Sequence, residues 1–243
     1  MDGARPVDAW KIARERRAEW PRTSFLAELD LPVLQDFLIT GELVRFRKGD
    51  VLLSEKEPSA HAFLLLDACV NVTAQLDTGG QALLAIRVGG DVVGEVAAMD
   101  GGGRSATVSA CGQQPVVAVR VEGQELRSLL GRYPDAAISL AAAVGRKLRA
   151  ANRRRVDITG CKAPARIARV VLELAEDYGC PVPRGTLIGV NLTQIELGSL
   201  VSVGETMTQR ALRDLRESGL VVNFGRRLLV PDLAALRAAT RPG

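Results

Sequence analysis

A single histidine, His61, and four widely separated cysteines, Cys69, Cys111, Cys161 and Cys180, are the only imidazole and thiol groups in this chain of 243 residues. None of the cysteines forms a C-x-x-C pair, so zinc or iron–sulfur ligation has little to build on and no cofactor is expected. Dispersed thiols read as buried and reduced, as in a cytosolic protein. No acid–base pair or activated nucleophile converges in the sequence. Ser105 has no histidine at motif spacing and His61 reads as part of a surface turn, so an enzyme is not expected. Long apolar runs are also missing. The longest candidate, ISLAAAV (138–144), falls well short of the ~20 residues that cross a bilayer, and the amino-terminal stretch lacks a signal-peptide core. The expectation is a soluble, cytoplasmic protein with no membrane partner.

Aromatic residues make up only 4% of a chain that is 47% hydrophobic, so its cores must be built from Leu, Val, Ile and Ala. Charge is unevenly placed. Residues 1–145 hold 15 Lys/Arg against 19 Asp/Glu, a net of −4, while residues 146–243 hold 17 against 9, a net of +8. An acidic front and a basic back suggest that the back meets a polyanion.

The texture along the chain divides it into four stretches. Residues 1–24 form a polar arm in which KIARERRAEW reads as a short helix anchored by Trp10 and Trp20. Residues 25–133 open with a helical piece around Pro32–Leu38. They continue as short strands (LVRFRKGDVLL, AFLLLD, CVNVTAQL, ALLAIRVGGDVV, ATVSACG, PVVAVRV) broken by TGG, VGG, DGGG and CGQQ, the pattern of an antiparallel sandwich, roll or barrel. Residues 134–159 change to a period of about 3.6 and predict one helix of roughly 37 Å. Its stripe of Ile138, Ala141, Ala142, Gly145, Leu148 and Ala151 suits a connector, a dimer seam, or both. Residues 160–243 are helical again, with PARIARVVLELAEDYG closing at Gly179 and CPVPRGTLIGV as a loop or small hairpin.

Within the last stretch, Thr193 followed by Glu196 is a capping-box pattern opening a helix over residues 194–201. A Ser202-Val203-Gly204 turn follows, then a helix from Glu205 to about Ser218 stopped by Gly219. This is the helix-turn-helix arrangement. Thr208, Ala211, Leu212 and Leu215 fall on one face and should be buried, leaving Thr206, Gln209, Arg210 and Arg213 outward, where Gln and Arg suit base edges. LVVNFGRRLLVPDL then reads as a strand–turn–strand wing whose tip carries Arg226 and Arg227 for backbone phosphates.

The stretch VVGEVAAMDGGGRSATVSA (92–110) is either a phosphate cradle or merely strand, loop and strand. Together with RFRKGDVLL (45–53), GRKLRAANRR (145–154) and the helix-turn-helix, it resembles the cyclic-AMP receptor protein/FNR (Crp/Fnr) family of transcription regulators over residues 25–230. The resemblance implies an α+β fold: an amino-terminal cyclic-nucleotide-binding-type β-roll (jelly-roll-like), a long dimerisation helix and a carboxy-terminal winged helix-turn-helix. It implies a pocket of Gly94, Glu95, Arg104, Ser105 and Ala106, with Arg104 and Ser105 on the phosphate and Glu95 on the ribose hydroxyl. Asn152 would meet the base from a partner subunit, and the allosteric ligand would be cyclic AMP or another cyclic nucleotide. The alternative is a regulator whose roll has lost its ligand and holds a Glu95–Arg104 ion pair, or that senses something else. The implied partners are a second copy of the chain, double-stranded DNA bearing a pseudo-palindromic operator, and RNA polymerase. The DNA contacts would be Thr193, Glu205, Thr206, Gln209, Arg210, Arg213, Arg226 and Arg227. The chain departs from the family pattern at Glu55-Lys56, Asp67-Ala68, Gly103, Ala151 and Glu205-Thr206.

Overall fold

The computed structural model describes residues 6–77, 79–112 and 114–241. Contacts divide the chain between Lys147 and Leu148 into two units. The first opens with helix α1 (Pro6–Arg16), a 3-10 turn (Arg17–Glu19) and helices α2 (Phe25–Glu28) and α3 (Leu31–Thr40). Six strands follow: β1 (Glu42–Phe46), β2 (Val51–Leu53), β3 (His61–Asp67), β4 (Cys69–Gln75), β5 (Gln81–Val88) and β6 (Val92–Val93). Helix α4 (Glu95–Asp100), β7 (Thr107–Ala110), β8 (Val116–Glu122), helix α5 (Gly123–Arg132) and the first half of the long helix α6 (Pro134–Gly160), whose residues from Leu148 on belong to the second unit, complete the series. The strands form two antiparallel four-stranded sheets in the orders β1-β8-β3-β6 and β2-β7-β4-β5, the β-roll.

The continuous run AFLLL in β3 reflects burial on both faces of its strand. Phe63 and Leu65 pack with Leu53, Val70, Val108 and Val116 between the sheets. Ala62, Leu64 and Leu66 pack outward under the helices, against Phe25, Phe37, Leu126 and Leu140. With few aromatic rings to share, the roll places Phe46 edge-on to Phe63 and Phe25 edge-on to Phe37, one pair in each layer.

The arm belongs to the second of these layers. Ala9 and Ala13 of α1 are buried, and Trp20 is 6% exposed, its Nε1 donating to the Leu66 carbonyl at 2.8 Å. The tryptophan lies over Gly90, where φ is +91° and a Cβ would stand 2.9 Å from Trp20 Cβ and Cγ, so only glycine satisfies both demands. Arg17 reaches back to the carbonyls of Ala27 and Leu29, satisfying the chain where it turns between α2 and α3.

Helix α6 carries two apolar stripes. Ala136, Leu140 and Ala143 turn into the helical layer of the roll. The stripe singled out in the sequence lies elsewhere. Ile138 and Leu148 are 67% and 61% exposed, Ala141 and Ala151 are exposed, and Ala142 and Gly145 are half-buried. Val156, 68% exposed, lies further along the same helix.

The second unit contains α7 (Ala163–Tyr178), β9 (Gly179–Val182), β10 (Gly185–Ile188), α8 (Gln194–Ser199) and α9 (Glu205–Glu217). It closes with β11 (Val222–Phe224), β12 (Arg227–Val230) and α10 (Leu233–Ala239). The loop or hairpin after Gly179 is a hairpin, and its strands extend the wing into one antiparallel sheet ordered β11-β12-β10-β9. Helix α8 ends at Ser199, two residues earlier than its sequence pattern suggests. Leu200–Ser202 form a turn in which Ser202 adopts a left-handed backbone, φ +53°. Arg166 of α7 donates to the Val201 carbonyl at 2.8 Å and fixes that turn.

Trp20→Ala should destabilise the first unit by about 3–5 kcal/mol, the usual cost of truncating a large buried aromatic. Urea denaturation followed by circular dichroism measures it, and a change below 1 kcal/mol would mean that the arm is not part of the core.

Candidate functional site

The DGGGRSAT segment follows α4, and its arginine turns inward. Arg104 is 4% exposed. Its Nη1 donates to the Gly94 carbonyl at 3.0 Å, its Nη2 to the His61 carbonyl at 2.6 Å and its Nε to Ser59 Oγ at 3.0 Å. All three acceptors are neutral. Burial therefore pulls the Arg104 pKa below its usual value, and only the longer-range fields of Glu57, Glu122 and Glu95 oppose the shift. Guanidinium this deep stays charged, so the roll holds a positive centre supported by dipoles.

Gly94 makes that placement possible. Its φ is +79°, and a Cβ would sit 2.6 Å from Arg104 Nη1 and 2.8 Å from Leu53 Cδ1. The next residue, Glu95, begins α4 and is 7% exposed. Its carboxylate does not pair with Arg104, as it would in a roll closed by a Glu95–Arg104 ion pair. It accepts from Lys147 Nζ at 3.0 Å. Lys147, on α6, donates also to the Val92 carbonyl at 2.6 Å and lies 3.8 Å from Asp91.

The structure thus brings Gly94, Glu95 and Arg104 together. Ser105 is exposed and Ala106 half-buried on the bend entering β7. Asn152 is exposed on α6 and belongs to the second unit. One participant, and one buried hydroxyl elsewhere in the roll, were not singled out from the sequence. Lys147 lies 52 residues from its partner Glu95, and nothing local announces the pairing. Thr73, 9% exposed, stands opposite Thr107 in the β4–β7 register, and its Oγ1 meets no hydrogen-bond partner among the described residues. The register shift opposite Val72 and Thr73 leaves one extra residue, Leu84, in β5, while the β4–β7 register runs through Thr73 without a break. His61 is the first residue of β3, not a surface turn. Its ring stands edge-on to Phe63, and its Nδ1 lies 3.5 Å from Arg120 Nη2.

In the second unit the capping box forms in full. Thr193 Oγ1 accepts from the Glu196 amide at 3.1 Å and Glu196 Oε2 accepts from the Thr193 amide at 2.8 Å. Thr208, Ala211, Leu212 and Leu215 are buried, so the opposite face of α9 is free, and Glu205, Thr206, Gln209, Arg210 and Arg213 are all exposed on it. Gln209 is held by Glu205 at 3.2 Å, and Arg213 stands 3.9 Å from Glu217. Arg226 and Arg227 are exposed at the wing tip. Together with Thr193 they line a cleft that also includes Gln194, Arg216 and Asn223. Arg216, a residue not singled out from the sequence, donates to Asn223 Oδ1 at 3.1 Å and ties α9 to β11. Cations and amides on an exposed helix face beside a basic hairpin form a surface suited to base edges and phosphates.

A roll enclosing a supported cation, followed by a winged helix-turn-helix, defines a DNA-binding regulator with a ligand-type domain. Comparison with known proteins agrees. Residues 43–133 match the cyclic nucleotide-binding domain and residues 165–239 the Crp-like helix-turn-helix domain. The chain is 28% identical over 198 residues to the CRP-like cAMP-activated global transcriptional regulator of Mycobacterium tuberculosis, covering 82% of this chain and 88% of that protein. It is 23% identical over 201 residues to the cAMP-activated global transcriptional regulator CRP of Escherichia coli, covering 82% and 94%. In fold it is similar to FixK2 from Bradyrhizobium japonicum, with a TM-score of 0.72 at 19% identity over 84% of this chain and 98% of that one. The chain belongs to the Crp/Fnr family of transcription regulators. No helix among the described residues is long and apolar enough to cross a membrane.

Burial first, then the Arg120 and Arg104 charges, push the His61 pKa below its usual 6.5. The unfolded chain therefore takes up the proton first, and stability is fully present above about pH 6.5 and declines as the pH falls below it. Thermal melts from pH 7.5 to pH 5 should show this decline, and His61→Gln should flatten it. An unchanged slope in the variant would assign the acid sensitivity to other groups.

Proposed function

We propose that this chain works as a homodimer whose affinity for a pseudo-palindromic DNA site is controlled by a cyclic nucleotide bound in the roll. The observation that carries the reading is Arg104, a buried cation held by three neutral acceptors beside a second buried charge, Glu95. A cyclic phosphate supplies the anion that such a cation lacks at short range, and the ribose 2′-hydroxyl is a donor for Glu95. On this reading Ser105 and the amides near Ala106 take the remaining phosphate oxygens. Cyclic AMP is the first ligand to test, because the Mycobacterium tuberculosis and Escherichia coli relatives are named as cAMP-activated.

The ligand-free arrangement also supplies a coupling. Glu95 is already engaged by Lys147, and Lys147 belongs to the helix that runs on to Gly160. A ribose hydroxyl donating to Glu95 competes with Lys147 for the same oxygens. Ligand therefore binds better to the arrangement of α6 in which this bond is loosened, and shifts the population toward it. The exposed Ile138, Leu148 and Val156 along α6 are the seam on which a second copy packs, and Asn152 is offered to the base of the partner's ligand. Dimerisation places two α9 helices about 34 Å apart in successive major grooves. Glu205, Thr206, Gln209, Arg210 and Arg213 read bases there, while Thr193, Arg226 and Arg227 hold phosphates.

One observation favours a second reading. Both pocket charges are satisfied from within the chain, Glu95 by Lys147 and Arg104 by backbone and Ser59. A roll so closed serves equally as the scaffold of a ligand-independent regulator.

Isothermal titration with cyclic AMP and cyclic GMP separates the two. On the ligand-controlled reading the protein binds at least one of them. Arg104→Lys then weakens binding by about tenfold or more, since a hydrogen bond to a charged group contributes ~1.5–3 kcal/mol, whereas Lys147→Gln, which releases Glu95, tightens it. Absence of heat and of a thermal shift with both ligands would mean that the pocket is vestigial, as on the second reading, or serves another ligand. For the reader, Arg226→Ala and Arg227→Ala should each reduce the salt dependence of DNA affinity by about one unit of slope, uniformly across sequences, as measured by fluorescence anisotropy at several salt concentrations. A sequence-specific loss would move these residues from phosphates to bases.

A further inference from the structure

Two of the four cysteines that the sequence scatters are brought face to face. Cys69 opens β4 and Cys111 follows β7, 42 residues later. The strands pair antiparallel with Val70 opposite Ala110, which puts Cys69 and Cys111 opposite each other one step further along, and the Cys111 amide donates to the Cys69 carbonyl at 2.8 Å. Directly opposed residues of an antiparallel pair have Cα atoms about 4.5–5.5 Å apart, within the range that a disulfide spans. The two Sγ atoms are 2.9 Å apart, closer than unbonded sulfurs ordinarily rest. Both side chains are half-buried at the edge of the inter-sheet core, so a small oxidant reaches them, and neither strand has to move for the bond to form.

We propose that Cys69 and Cys111 are a peroxide-responsive dithiol that closes to a reversible disulfide within one chain. The chemistry balances in two steps. One thiolate attacks a hydroperoxide oxygen, the O–O bond breaks, and a sulfenic acid forms as the peroxide leaves as water or alcohol. The other thiol then attacks the sulfenic sulfur, the S–O bond breaks, and water departs as the S–S bond forms. Two electrons pass from the two sulfurs to the hydroperoxide, and a cellular dithiol returns them. In a reducing compartment such a bond is transient, which is the form that cytosolic disulfides usually take.

The location gives the bond a consequence. The ring it closes runs from β4 through β5, β6 and α4 to β7 and contains Gly94, Glu95, Arg104, Ser105 and Ala106. Oxidation would tether both ends of the entire pocket segment. This inference stands on strand register and sulfur contact and does not depend on a cyclic nucleotide being the ligand.

The test uses the full chain, treated with graded hydrogen peroxide, then blocked with iodoacetamide and digested. The expected result is a cross-linked peptide joining Cys69 to Cys111, an intact mass lower by two hydrogen atoms, and alkylation of Cys161 and Cys180 only. Dithiothreitol should reverse all three changes, and the oxidised protein should melt several degrees higher because the unfolded chain is constrained. Cys69→Ser or Cys111→Ser should abolish the bond, while Cys180→Ser should leave it intact. Peroxide that converts the two cysteines to separate sulfinic or sulfonic acids, a link between two chains, or full alkylation of all four thiols would each overturn the proposal. The wild-type peptide map decides the matter even where a serine variant fails to fold.

Discussion

Burial of the Arg104 guanidinium is the constraint around which the first unit is arranged. A charge at 4% exposure demands acceptors, and the roll supplies them from three separate segments: the start of β3, the glycine before α4, and Ser59. Each supplier is thereby fixed. Position 94 must be glycine in a left-handed conformation, because a Cβ there would meet the guanidinium itself. Glycine at 94 aims α4 so that Glu95 faces α6 and meets Lys147. His61, whose carbonyl accepts from Arg104, has its pKa lowered by burial first and then by the charges of Arg120 and Arg104. Removing the positive charge would leave each of these carbonyls and its neighbours without the partner that positions it.

What could be read from the sequence was what short stretches decide. The helix-turn-helix was legible down to its cap, its buried face and its free face, because Thr193 and Glu196, or Thr208 and Leu212, meet within one or two turns of helix. The strands of the roll were legible as strands, yet their pairing was not. No local signal says that β1 lies beside β8, that Cys69 faces Cys111, or that β5 carries an extra residue opposite Val72 and Thr73. The pocket lay between these cases. Gly94, Glu95 and Arg104 sit close enough in the chain to form a recognisable pattern, while Lys147 and Ser59, their actual partners, came from elsewhere.

Helix α6 shows how one segment can be read correctly as an element and incompletely as a surface. Its small and apolar side chains are spread over more than one stripe. Ala136, Leu140 and Ala143 serve the roll's own core, and Ile138 and Leu148 face away from it. Helical periodicity shows both stripes and cannot tell which one the chain will cover for itself.

The arm carries a last consequence. The segment that matches the cyclic nucleotide-binding domain begins at residue 43, but Ala9, Ala13, Trp20, Phe25 and Phe37 precede it and fill the same core as Leu64 and Leu126. The segment that matches that domain is therefore smaller than the unit that folds. The arm is masonry: β3 presents Ala62, Leu64 and Leu66 on the face that it covers, and Gly90 leaves room for its tryptophan. Removing the arm would uncover that face of β3 and the core behind it.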